Sequence, residues 1–114
     1  MKMIRDQRFA AALTWMRAAY PEINDPGLVR TIQLYRAHGR IAHSSGRWWS
    51  EQRHIAVCRD PRSPHSIGDY VSTLAHEFMH ARQYRDGRPY NEAEASTAGY
   101  DAHTRWLARI RRPT

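Results

Sequence analysis

A chain of 114 residues with 41% hydrophobic and 25% charged residues has room for one hydrophobic core and the composition of a globular domain, so a single domain over 1–114 is expected. No apolar run approaches the roughly 18–20 residues that cross a bilayer. The lone Cys58 excludes an internal disulfide and any cysteine-based metal site.

Arg5, Asp6, Gln7 and Arg8 interrupt the N-terminal stretch where a secretory signal needs a continuous apolar block, which makes the cytoplasm the expected compartment. The net charge of +7 and pI near 10.3 suit an acidic partner such as nucleic acid. The basic residues are scattered from Arg5 to Arg112, however, and form no stripe at helical spacing apart from the tail Arg109, Arg111 and Arg112. Nucleic acid is therefore a possible partner and not the favoured one.

In chain order, residues 4–20 read as an amphipathic helix, with Phe9, Ala12, Leu13, Met16 and Tyr20 on one face and Pro21 beyond its end. Asp25 as N-cap and Pro26 in the first turn announce a second helix, with Leu28, Ile32 and Tyr35 as its apolar face and Gly39 as its stop. The period then changes. Segments 40–43 and 46–49 flank Ser44-Ser45 as in a hairpin, and Arg53–Cys58 reads as a further strand with Ile55 and Val57 on one face. Asp60, Pro61, Arg62, Ser63 and Pro64 form a loop. Ser66 and Asp69 make a capping box for a helix from about Ile67 to Arg85, ended by Gly87 and Pro89. Asn91 and Glu94 make a looser one for a last helix reaching about Ile110. Two helices, a small sheet of a hairpin plus an edge strand, and two more helices amount to an α+β domain.

His76-Glu77-Phe78-Met79-His80 carries the chemistry. Residues four apart on a helix lie one above the other, about 6 Å apart along the axis, so both imidazoles can converge on one Zn²⁺. Glu77, one step around the helix, is offset from that shell and suits a general base acting on a metal-activated water. A catalytic zinc needs a third protein ligand, and Glu92, Glu94 and His103 lie downstream. His103 is roughly 16 Å along the last helix from Glu92 and cannot share its ion. Glu94 in the capping box is expected to fold back onto the Asn91 N–H. Glu92 leans within about 60° of the stripe of Ala95, Ala98, Ala102 and Trp106, whereas Glu94 lies about 100° away on the other side. Glu92 is the expected ligand, with Glu94 as the alternative.

These residues resemble a gluzincin-type zinc metallopeptidase, in which His-Glu-x-x-His on one helix is completed by a Glu on the next. The segment Glu92-Ala93-Glu94-Ala95-Ser96-Thr97-Ala98-Gly99 is similar to the corresponding stretch of ImmA/IrrE-like peptidases, whose first Glu is the third ligand. His76 to Tyr84 resembles the short minigluzincins. The likeness spans about residues 53–102 and departs at Ser96, where such families place Asp or Asn to orient a metal histidine. It implies zinc-dependent hydrolysis of a peptide or protein substrate bound antiparallel along an edge strand, here 53–58. An oxyanion donor is also needed, with Tyr90 preferred and Tyr100 and His43 behind it. Two other readings stay open: a nucleic-acid-associated protein with a zinc site, and a non-catalytic interaction module with a structural metal.

Overall fold

The computed structural model describes residues 2–36, 46–59 and 65–109, and these form an α+β structure. Strand β1 (Lys2–Met3) leads into helix α1 (Gln7–Ala19), followed by a 3-10 turn at Pro21–Asn24. Strands β2 (Thr31–Arg36), β3 (Gly46–Trp49) and β4 (His54–Arg59) precede the long helices α2 (Ile67–Arg85) and α3 (Glu92–Ala108). The sheet order is β1-β2-β4-β3, with β2 parallel to β4 and both end strands antiparallel to their neighbours. Among the described residues no helix is long and apolar enough to cross a membrane.

Two expectations change here, and a third falls partly outside the described residues. The helix predicted from Asp25 to Gly39 is a single turn followed by a strand. Asp25 accepts from the Gly27 N–H and, through its carbonyl, from the Leu28 and Val29 N–H groups, and regular helix goes no further. From Thr31 the chain alternates, with Leu34 buried and Thr31 and Arg36 exposed, and pairs residue by residue with β4. The β-branched Thr31 and Ile32 favour that pleated, half-buried setting.

Strand 46–49 is present as expected and pairs with β4 across the turn at 50–53, where Arg53 has φ 50°; its expected hairpin partner 40–43 lies outside the described residues. The second change is that the strand expected at the sheet edge is interior. Both sides of β4 are hydrogen-bonded, to β2 and to β3, and Ile55, Ala56, Val57 and Cys58 are all buried. A continuous buried run of this kind belongs to a strand covered on both faces.

Helix α2 is the centre of the packing. It lies on β3 and β4, with α1 and α3 against its other sides. Val71, Leu74, Ala75 and Phe78 are buried as predicted, and join Met16, Ile23, Leu28, Leu34, Ile55 and Val57 in one core. Its capping box is formed as predicted, with Ser66 accepting from the Asp69 N–H and Asp69 accepting from the Ser66 N–H. At the same end Asp6, the N-cap of α1, binds the Tyr70 hydroxyl and the Arg59 guanidinium, both at 2.8 Å. One carboxylate thus ties together α1, β4 and α2. Burial pushes Asp6 up, but the bonds from Tyr70, the Arg8 N–H and Arg59 outweigh it and hold the carboxyl below its ordinary range.

Candidate metal centre

The site is built where α2 crosses α3. Gly99 makes the close crossing possible, since a β-carbon there would lie 2.8 Å from the Ser72 carbonyl oxygen and 3.6 Å from His76 Cβ. At the far end of α2, Gly87 takes φ 65°, and the Arg88 N–H returns to the Gln83 carbonyl. The chain then re-enters helix within a few residues, at Asn91.

This geometry brings His76, His80 and Glu92 together. One donor atom from each lies within 4.8 Å of the others, a set that can hold a metal ion. Glu92 Oε1 is 3.3 Å from His76 Nε2 and 2.5 Å from His80 Nε2. The two imidazole rings are 5.1 Å apart. The choice of donors is chemically coherent, since two imidazole nitrogens and a carboxylate oxygen suit Zn²⁺ and leave room for a further ligand. His80 is buried, whereas Glu92 reaches the donors from an exposed position on the first turn of α3. The Tyr90 hydroxyl donates to Glu92 Oε1 at 2.7 Å, and that bond and those from the histidines hold Glu92 below the ordinary carboxylate range despite some burial.

Glu77 stands beside this set and not within it. It is 5% exposed, and the Trp48 N–H of β3 donates to its carboxylate. Burial, and then the charge of Glu92, push its pKa up to about 7 against that hydrogen bond. Tyr90 stacks on His80, with ring centroids 3.9 Å apart and planes within 6°, and burial followed by the Glu92 contact pushes its hydroxyl up to about 12.

The remaining candidates are elsewhere. His103 lies with His65, Asp69, Ser72 and Thr73 around a separate cavity of about 350 Å³ near the start of α2. Tyr100 is exposed, and His43 lies outside the described residues. Glu94 does not fold back onto the Asn91 N–H, which is taken by Gln83 Oε1. Its carboxylate instead binds Arg88, both oxygens at 2.9 Å from one guanidinium nitrogen, and accepts from Gln83 Nε2 at 2.9 Å. The cap itself is present, with Asn91 Oδ1 accepting from the Glu94 N–H. Ser96 is exposed on α3 and its side chain makes no hydrogen bond among the described residues, so it does not orient a histidine. That contact comes from Gln83, whose Oε1 lies 2.9 Å from His80 Nδ1. The signal for it was the position of Gln83 three residues after His80, on the same side of the helix. Gly99 closes the Glu92–Gly99 segment named above, whereas the Trp48 N–H and Gly46 carry no motif, because an amide donor and a missing side chain leave no local pattern in the sequence. Comparison with protein-family models, curated proteins and solved structures finds no match for this chain.

Proposed function

We propose that this chain is a zinc-dependent metalloendopeptidase of gluzincin type, with His76, His80 and Glu92 as metal ligands and Glu77 as general base. The observation that carries the reading is the division of labour among four side chains on two helices. Three donor atoms converge, while the fourth group, Glu77, is buried beside them and left out of the set. A purely structural zinc site is closed by four protein ligands, and among the described residues no fourth His, Cys, Asp or Glu joins these three.

Zinc bound there would supply Lewis acidity, acidifying a water and polarising a carbonyl oxygen. Glu77 takes the water proton on its carboxylate and delivers it to the departing amine, as the C–N bond of the peptide breaks and a C–O bond to the water oxygen forms. Trp48 holds the Glu77 carboxylate in place through its N–H. Tyr90 brings a hydroxyl to the edge of the donor set, within reach of an oxygen bearing negative charge. The substrate lies extended along β3 and not along β4, whose two sides are already paired; the Trp48 amide that meets Glu77 belongs to β3.

Metal analysis and peptide hydrolysis test this reading together. Wild-type protein should carry close to one zinc per chain and cleave an unstructured protein substrate. His80→Ala and Glu92→Ala should each lose stoichiometric zinc, because two remaining donors hold the ion poorly. Full zinc retention in either variant, or absence of zinc from the wild type, would overturn the proposal.

A further inference from the structure

We infer that Glu94, acting through the side-chain amide of Gln83, is a positioning residue that sets the orientation of His80 and the docking of α3 for metal binding. The inference rests on the reading of His76, His80 and Glu92 as the metal ligands, and adds two residues that donate nothing to the ion.

Gln83 is 1% exposed, and every hydrogen-bonding direction of its amide is used. Nε2 donates to the Asn91 carbonyl at 3.0 Å and to Glu94 Oε1 at 2.9 Å. Oε1 accepts from the Asn91 N–H at 3.2 Å and from His80 Nδ1 at 2.9 Å. The direction of this amide is not a free choice. A carboxylate and a backbone carbonyl only accept, and a backbone N–H only donates. Glu94 and Asn91 together therefore turn the Gln83 nitrogen toward themselves and its oxygen toward the histidine. An amide oxygen facing Nδ1 requires that nitrogen to carry the hydrogen, which leaves the Nε2 lone pair directed at the place where the donors meet. Glu94 itself is held by Arg88.

The same amide links the two halves of the site. His80 belongs to α2, while Asn91 is the N-cap of α3 and is followed at once by Glu92. By gripping both backbone groups of Asn91, Gln83 ties the first turn of α3 to the turn of α2 that carries His80. Metal histidines commonly donate their second nitrogen to a carboxylate or carbonyl. In this chain an amide is interposed, and Glu94 stands behind it.

The test uses the full chain, with zinc affinity from chelator competition, melting of the zinc-free protein, and nitrogen-15 imidazole spectra as readouts. Gln83→Met, similar in size but with no amide, should weaken zinc binding by about 10–100-fold. Glu94→Ala should weaken it in the same direction, and Glu94→Gln, which keeps an acceptor for Gln83 Nε2, should restore most of the loss. The combined Gln83→Met, Glu94→Ala variant should lose little more than Gln83→Met alone, because both act on one chain of contacts. If the variants melt lower but bind zinc as the wild type does, the residues are only structural and the inference is overturned. If Gln83→Met does not fold, Glu94→Ala against Glu94→Gln decides by the same criterion. A wild type that binds no zinc overturns the metal reading instead. The spectra then decide this inference separately: His80 protonated on Nδ1 in the wild type and redistributed in Glu94→Ala supports it, and an unchanged tautomer sinks it.

Discussion

Gly46 on β3 lies against Glu77 on α2 so closely that a β-carbon built on the glycine would sit 3.1 Å from Glu77 Cγ and 2.7 Å from Thr73 Cγ2. The missing side chain lets β3 approach α2, and that approach brings the Trp48 N–H to the Glu77 carboxylate. Gly46→Ala should push the strand away at a cost of about 1–3 kcal/mol in stability. The sharper expectation is a loss of kcat with zinc content unchanged, since the three donors are on α2 and α3. Equal activity in wild type and Gly46→Ala would show that the strand's position does not matter to the chemistry.

Glu77→Gln should keep the fold and the zinc and lose at least about 10²-fold in kcat, since an amide cannot take up the proton. Metal content and peptide hydrolysis on the same preparation check this. Wild-type turnover would remove Glu77 from the mechanism.

Tyr90 is held in two ways, by its stack on His80 and by its hydroxyl on Glu92. Tyr90→Phe deletes only the hydroxyl. If that group stabilises negative charge in the reaction, kcat should fall by about 10²-fold while zinc stoichiometry stays the same. A variant that loses zinc instead would assign the hydroxyl to holding Glu92.

Acid should act through Asp6. Its carboxyl titrates lower in the folded protein than in the unfolded chain, so its contribution is complete above the unfolded value and disappears as pH falls through the folded one. Asp6→Asn keeps an acceptor for the α1 cap but gives up the charge that Arg59 and Tyr70 meet. The variant should be less stable than wild type by about 1–3 kcal/mol at neutral pH. That gap should hold down to about pH 5 and close below about pH 4. Urea titrations across that range would expose a pH-independent gap, the result that contradicts this account.

What could be read from the chain alone was what local rules decide. Ser66, Asp69 and Gly87 punctuate α2 by short-range capping, and His76, Glu77 and His80 fall into place once that helix exists. Glu92 followed from helical angle on α3. Residues 31–36 read as helix in the sequence because Ile32 points inward under either period, and the deciding fact, pairing with β4, involves a distant segment. Leu34 was the overlooked clue: it is fully buried, yet it falls off the helical face of Leu28, Ile32 and Tyr35. The interior place of β4 is likewise a property of the sheet as a whole, although its unbroken apolar run hinted at it. The sequence pairs Glu94 with Asn91 because capping boxes are local; Arg88 and Gln83 compete for it only once the turn at Gly87 brings α3 back to α2.

The donors and their supporting amide all sit on one helical hairpin, within a short span of chain. Contacts between segments close in sequence form quickly, whereas β4 pairs with β2, and Trp48 meets Glu77, across longer separations of chain. Under the proposed function, metal uptake and catalytic competence would therefore be separable stages of maturation. On that reading a partly folded chain would hold an ion while its base is still unset, and metal content by itself would overstate the fraction of working molecules.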